Sequence, residues 1–385
     1  MTDSVVVHPF GRLDCRRWPL QRLSGRHQQL RAWDNADLYL LNNLAEQGAG
    51  ATTLVVNDQF GLLTLATQQR DHAISLNDSF IARQAAQYNA ELNQIAWTDN
   101  GWFWCDTPLD PHAGQQVQQV LMRMPKDLSL FTLQLQQLHA ALPAGTPVYI
   151  AGMDKHLPRQ LVPILQQQWG NGEAGLGWKK ARIFRAHIPA TDPPDDPLNA
   201  LTVDVKAEPL GRSIAHFPGV FSRQHLDIGA RCFIEHLPQR IDAGSVVVDL
   251  GCGNGVIGLA VLQHQPDCTL WFADESRLAL ANARHNAAAL FPTHGCHFFH
   301  GDGLSDWPGA ADLVLLNPPF HQGHVVGEDV AKRLFKQAHE RLREGGELRL
   351  VANRHLRYWP YLAKRFGTVT QVGETAKFIV LSCIK

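Results

Sequence analysis

Ten residues hold the densest chemistry in the chain: Asp249-Leu250-Gly251-Cys252-Gly253-Asn254-Gly255-Val256-Ile257-Gly258, directly after the apolar run Val246-Val247-Val248. A strand that ends in a carboxylate and then meets alternate glycines must turn sharply, and glycine lets a ligand approach the main chain with no Cβ in the way. Gly253-x-Gly255-x-x-Gly258 also satisfies the dinucleotide fingerprint, which alone is a weak signal. Such a site wants a pyrophosphate on the helix N-terminus, and Asp249 would repel one. The carboxylate suits the positively charged amino-acid end of S-adenosylmethionine, so the spacing favours a methyl donor over NAD. Cys252 and Asn254 fall inside the same loop; Cys252 reads as a small packing residue, with methyl acceptance as the outside alternative. Asp274 ends the next apolar run, 25 residues after Asp249, where a carboxylate can accept from both ribose hydroxyls. Asp302, in His300-Gly301-Asp302-Gly303, fits either an acceptor for the adenine amino group or a plain turn aspartate.

A second cluster closes a fourth apolar run: Leu313-Val314-Leu315-Leu316-Asn317-Pro318-Pro319-Phe320. Proline cannot continue a hydrogen-bonded ladder, so the strand stops here, and the residue before it is pushed into extended geometry. The carbonyls of Asn317 and Pro318 become free acceptors. An amine on a nucleobase is a poor nucleophile because its lone pair is delocalised into the ring. Two acceptors on its two N–H groups can rotate it out of conjugation, and Phe320 offers a flat face for an unstacked base. His321 and His324 have metal-compatible spacing without an evident third ligand and read as loop residues. Phe221 reads as a core phenylalanine or as a cover over the donor.

The elements that must hold these groups follow from periodicity. Ile257 to His264 and Leu278 to Ala289 predict helices after the strands ending near Asp249 and Asp274, and Cys296 to Phe299 predicts a further strand. Phe335, Ala338, His339 and Leu342 mark one face of a helix expected to end at Gly345-Gly346. Alternating strands and helices imply an α/β fold with a mostly parallel, doubly wound sheet. The segment Pro189-Ala190-Thr191-Asp192-Pro193-Pro194-Asp195-Asp196-Pro197 reads as an extended linker. The expected organisation is a first domain at 1–190, a Pro/Asp-rich linker at 191–199 and a second domain at 200–385.

The halves repeat one another. Leu54-Val55-Val56-Asn57-Asp58 lines up with Val246 to Leu250, Ile74 to Ser79 with Trp271 to Ser276, Asn89 with Asn286, and Leu142 to Ile150 with Leu342 to Leu350. Offsets of 192, 197 and 200 drift as loop lengths would in a duplicated domain. The first copy lacks the chemistry: Asn57-Asp58-Gln59-Phe60-Gly61 replaces the glycine loop, with Phe60 expected in the donor's path, and Arg123-Met124-Pro125-Lys126 replaces the Asn-Pro-Pro-Phe. The first domain is therefore expected to be catalytically dead and to serve RNA docking and support.

Composition bounds the partners. With 35 Lys+Arg against 36 Asp+Glu the formal charge is −1, which excludes a polybasic coat. The first 190 residues hold 16 basic and 15 acidic side chains, so any nucleic-acid contact must come from local clusters. Candidates are Arg12, Arg16, Arg17, Arg22, Arg26 and Arg31 with Trp18 and Trp33; Lys179, Lys180, Arg182 and Arg185; and Arg349, Arg354, Arg357, Lys364 and Arg365. Each could equally be a solvated face. No apolar run approaches the ~20 residues of a membrane span. Seven scattered cysteines with no C-x-x-C spacing disfavour a disulfide framework or zinc knuckle and fit a reducing cytoplasm.

Asp249-x-Gly-x-Gly-x-Gly combined with Asn317-Pro318-Pro319-Phe320 resembles the class I S-adenosylmethionine-dependent amine methyltransferases. Gly219-Val220-Phe221-Ser222-Arg223, Leu226-Asp227-Ile228-Gly229-Ala230-Arg231, the Phe320-His321 ending and the degenerate first half narrow the resemblance. They are similar to the bacterial ribosomal RNA guanine-N2 methyltransferases, which carry two tandem domains. Trp178-Lys179-Lys180-Ala181-Arg182 and Val351-Ala352-Asn353-Arg354-His355-Leu356 look closest to the large-subunit branch, with the small-subunit branch as its sister. The resemblance implies two Rossmann-like class I domains with seven-stranded sheets, S-adenosylmethionine as cofactor, and N2 methylation of one guanine in 23S rRNA. It also implies donor contacts at Asp249, Gly251, Gly253, Gly255 and Asp274, with Asp302 the loosest carry-over, and an acceptor site at Asn317, Pro318, Pro319 and Phe320. A 16S rRNA substrate and a non-catalytic assembly factor that keeps a donor pocket are the rivals.

Overall fold

The computed structural model describes residues 4–18, 31–222, 225–319 and 326–385. The chain forms two compact units, one up to Leu201 and one from Thr202. The Pro/Asp segment is not extended throughout. Asp196 accepts from the Asn199 amide at 3.1 Å and Pro197–Leu201 closes a helical turn, because proline's missing N–H costs nothing in a first turn.

Unit one opens on a hairpin, β1 (Val5–His8) and β2 (Gly11–Asp14). Its sheet comprises β3 (Thr52–Val56), β4 (His72–Asn77), β5 (Trp102–Trp104), β6 (Gln119–Arg123), β7 (Pro147–Met153), β8 (Glu173–Trp178) and β9 (Ala181–His187). Unit two repeats the plan with a hairpin of β10 (Val203–Ala207) and β11 (Arg212–His216). Its sheet comprises β12 (Val246–Leu250), β13 (Thr269–Asp274), β14 (His297–His300), β15 (Ala311–Leu316), β16 (Leu342–Asn353), β17 (Thr368–Glu374) and β18 (Phe378–Ile384). The strand orders are β5-β4-β3-β6-β7-β9-β8 and β14-β13-β12-β15-β16-β18-β17. Both are the same doubly wound order, parallel except that β9 and β18 run against both of their neighbours. Central strands β3 and β12 are buried along nearly their whole length. Helices cover both faces, which is why these strands read as unbroken apolar runs rather than alternating ones.

Strand pairing corrects part of the internal alignment. Leu54 pairs Ile74 and Val120 while Val248 pairs Trp271 and Val314, so Leu54 corresponds to Val248 and the first offset is 194, not 192. The position matching Asp249 is thus Val55. The 197 and 200 offsets agree with the pairing register strand by strand.

A second correction concerns Gly345-Gly346. The helix Val326–Arg341 ends before Leu342, which already pairs with Ala311 as part of β16. Gly345 takes φ +75°, and the glycine pair bonds the last residue, Lys385, from both sides. These glycines bend a strand instead of stopping a helix. Among the described residues no helix is long and apolar enough to cross a membrane.

Candidate functional site

In unit two the C-terminal tips of β12, β13 and β15 converge, at the point where the strand order reverses and open α/β sheets place their ligands. Gly251, Gly253 and Gly255 take φ of 70°, 54° and 83°, a region costly for residues with a Cβ. A Cβ on Gly251 would meet nothing within 4 Å, and one on Gly253 only Val220 at 4.0 Å. The outer side of the loop is open space. Gly258 is different: a Cβ there would lie 2.6 Å from the Phe272 ring, so this glycine lets the helix Val256–His264 lie against the sheet.

Asp249 is 1% exposed. One oxygen, Oδ2, accepts from the Gly258 amide at 2.8 Å, while Oδ1 is buried with no hydrogen-bond partner. Burial pushes its pKa up to about 7, the Gly258 amide pulls the other way, and the nearby charge of Asp274 adds to the rise. Asp274 ends β13 and accepts from the Gly253 amide at 3.0 Å and the Ser276 amide at 3.0 Å. Burial raises it as well, against those amides. Asp274 therefore braces the loop from the neighbouring strand. Cys252 is buried with its thiol pushed well up by burial, which fits packing rather than nucleophilic chemistry.

Asp302 is buried and ion-paired with Arg333 of the following helix, and its backbone carbonyl accepts from Gln337 at 3.1 Å. Asn317 follows β15, strand-adjacent to β12. Its amide Nδ2 donates to Asp227 Oδ2 at 3.3 Å, and its Oδ1 is buried without a partner. Pro318 and Pro319 follow immediately, whereas Phe320, His321 and His324 lie outside the described residues. Phe221 is 63% exposed, so it is not the core phenylalanine of the first alternative. The strand tips thus bring Asp249, Asp274 and Asn317 together around the glycine loop.

Sequence reasoning missed the clamp behind that loop. Asn282 and Asn286 sit one turn apart on the helix Arg277–Leu290 and are fully buried. Asn286 donates to the Ala215 and Asn254 carbonyls and accepts from the Ala215 amide, while Asn282 holds Ala215 and Phe217. Two amides thereby tie the opening hairpin to the donor-side loop. Unit one reuses the device: Asn89 donates to the Arg16 and Phe60 carbonyls and accepts from the Arg16 amide. The i,i+4 asparagines on an otherwise apolar helix face were the available signal. Asp227 was also missed as a site residue, although it stands where an N-cap belongs before Ile228 to Ile234.

The corresponding crevice of unit one is built differently. Asn57, at the position of Gly251, exchanges amide bonds with Gln134 at 2.7 and 2.9 Å and donates to the Arg123 carbonyl. Arg123, at the position of Asn317, forms a fork with Asp34 at 2.7 and 2.9 Å and reaches Asp37 at 2.9 Å. Phe60 lies in the core beside Cys15, under the Arg17 guanidinium.

The basic clusters separate by their partners. Arg16 pairs with Asp14, Arg349 with Glu347 and Arg354 with Glu374, and Trp33 is buried; Arg22 and Arg26 lie outside the described residues. Lys179 and Lys180 stand exposed at the β8–β9 turn, Lys179 with its ammonium over the Trp178 ring at 4.5 Å, and Lys155, His156 and Arg159 are exposed on the segment whose Asp154 amide holds the Lys180 carbonyl at 2.9 Å. No group of three or more metal-ligating side chains occurs among the described residues.

Comparison with known proteins adds two family matches: a Methyltransferase small domain over residues 211–382 and an RLMG N-terminal domain over residues 4–190. The chain is 47% identical to a ribosomal RNA large subunit methyltransferase G of Alcanivorax borkumensis, over 98% of this chain and 96% of that protein. It is 40% identical to the protein of the same name from Stutzerimonas stutzeri, over 99% of each. Among solved structures it resembles a Thermus thermophilus 16S rRNA N2 methyltransferase in complex with AdoMet and guanosine. That likeness has a TM-score of 0.74 at 22% identity, covering 99% of this chain and 97% of that one.

Proposed function

We propose, from the premise that this chain belongs to the ribosomal RNA large subunit methyltransferase G family and is an rRNA methyltransferase, that unit two methylates the exocyclic N2 amine of one guanine in 23S rRNA. One observation carries the reading. Two buried oxygens without partners, Asp249 Oδ1 and Asn317 Oδ1, lie at the tips of paired strands β12 and β15, and the glycine loop that follows β12 has an open outer side. What singles these two out among the unpartnered buried atoms is their place, on adjacent strand tips at the switch point of the sheet, where a bound ligand can supply the missing donors.

These residues fit S-adenosylmethionine and an amine. When bound, the donor supplies a methyl group on a sulfonium sulfur, a leaving group that needs no metal. Asp249 offers an acceptor to the donor's ammonium end, and Asp274 offers acceptors to its ribose, once its own amide partners share it. The open space at Gly251 and Gly253 admits the ligand to the backbone. Asp302 reaches a base amine only alongside Arg333, so it ranks lowest in the set. Asn317 Oδ1 and the Pro318 carbonyl hold the two N–H groups of the guanine amine and turn its lone pair out of conjugation. Phe320 supplies the stacking face in this reading.

Unit one is proposed as a non-catalytic RNA-docking domain. Where unit two keeps glycine and an open amide, Asn57 bonds the Gln134 side chain and the Arg123 carbonyl, and the Arg123 guanidinium is held by Asp34 and Asp37; the exposed lysines of the β8–β9 turn suit phosphate. The cytoplasm, where rRNA is made and where free cysteines persist, is the matching compartment.

The decisive experiment is mass spectrometry of both rRNAs from cells lacking the protein, with complementation by wild type and Asn317→Ala. One N2-methylguanine should vanish from 23S rRNA and return only with wild type. Loss from 16S rRNA instead, or restoration by Asn317→Ala, would overturn the assignment.

A further inference from the structure

We propose that Asp227 is a positioning residue that fixes which end of the Asn317 amide faces the substrate. The inference rests on the acceptor reading of Asn317 and deepens it. An asparagine amide has two ends of nearly equal shape and opposite hydrogen-bonding sense. Only the oxygen end can hold an amine N–H; the opposite orientation would set one NH2 group against another. Nothing intrinsic to Asn317 chooses between them.

Asp227 makes the choice. Its Oδ2 caps the helix Ile228–Ile234 by accepting from the Ala230 amide at 2.9 Å, and the same oxygen accepts from Asn317 Nδ2 at 3.3 Å. An ionised carboxylate only accepts, so the NH2 end must turn toward it, and Oδ1 is left buried and unpartnered. The helix cap thereby pins the carboxylate, and the carboxylate pins the amide.

Unit one supplies an independent observation of the same device. Asp34 caps the helix Asn35–Ala45 by accepting from the Ala36 amide at 2.8 Å, and it holds Arg123, the residue in the place of Asn317. In both units the cap of the helix before the first sheet strand grips the tip of the fourth strand. The gripped group differs: a guanidinium that satisfies the cap and offers no acceptor in unit one, an amide with one free oxygen in unit two.

Two substitutions separate orientation from folding in the full chain. Asp227→Ser keeps an N-cap oxygen but places it too near the backbone to reach Asn317 as well. Asp227→Asn keeps both the cap and a longer acceptor. Turnover at saturating donor and 23S rRNA, donor affinity by calorimetry, and thermal midpoint are measured for each. Asp227→Ser is expected to lose roughly 10- to 100-fold in turnover, with donor affinity within about twofold and the midpoint close to wild type; Asp227→Asn should recover most of the rate. Wild-type turnover in Asp227→Ser, equal loss in both variants, or a loss matched by donor affinity or the midpoint would overturn the inference. Asn317→Ala runs alongside: full activity there would sink the acceptor reading itself, whereas an inactive Asn317→Ala beside a fully active Asp227→Ser would sink only the role of Asp227.

Discussion

Asp249 ties together burial, charge and ligand. A carboxylate taken out of water is harder to ionise, and here burial outweighs the single Gly258 amide, raising the pKa to about 7. Because the folded value lies above the ordinary 3.8, this group favours the ligand-free fold most at low pH, and its contribution drains away as pH rises through about 7. Donor binding runs the opposite way, since an ammonium wants the ionised form. We expect donor affinity, followed by calorimetry, to weaken by up to roughly tenfold per unit below pH 7, and to fall again only where the donor's own amino group loses its proton, at about pH 8. Asp249→Asn should bind more weakly throughout and without that slope. A slope of the same size in Asp249→Asn would assign the titration elsewhere.

At the scale of elements, two glycines separated by five positions do opposite work. Gly258 lies against Phe272, so Gly258→Ala should strain the helix-sheet contact and cost about 1–3 kcal/mol, read as a lower denaturation midpoint. Gly253 faces open space at φ +54°. Gly253→Ala should cost about 1 kcal/mol of backbone strain and lower donor affinity more than stability. The β8–β9 turn gives a related contrast. Trp178 pairs Ala181 across two lysines that both have positive φ, a two-residue turn that asparagine and glycine fill at least cost. Replacing Lys179 by Asn and Lys180 by Gly should stabilise the protein by about 1 kcal/mol while weakening rRNA binding. A turn kept at that cost only for shape would gain stability and lose no affinity.

These elements also show what the sequence made legible. The glycine loop, Asp274 and the Asn-Pro-Pro ending could be placed because each combines residues whose backbone preferences are strong and local. The register of β3 slipped by two because its three apolar residues, Leu54 to Val56, are all buried and carry no alternation to anchor it. Gly345-Gly346 was misread because a glycine pair signals a positive φ without saying whether a helix or a bent strand needs it. Asp227 and the Asn282–Asn286 clamp stayed hidden because their roles depend on partners 32 to 90 residues away, which no local pattern encodes.

For the whole molecule, a charge of −1 sets the problem of how a polyanion is gripped. Long-range attraction is absent, so affinity must come from a few cations held at fixed positions. In unit one the paired arginines are spent internally: Arg123 on Asp34 and Asp37, Arg182 on Asp154, Arg83 on Asp99. Lys155, Arg159, Lys179 and Lys180 remain exposed around one end of β7 and the β8–β9 turn. Reversing Lys155, Lys179 and Lys180 to Glu in the full chain should weaken 23S rRNA binding at least tenfold at low salt and flatten its salt dependence by about two to three ions. Donor affinity should stay within about twofold, because the glycine loop lies in the other unit, and KM for RNA should rise far more than kcat falls. Filter binding across a salt series, with calorimetry on the donor, measures both. Unaltered RNA binding would remove docking from unit one and require the second unit's own surface to find the target guanine.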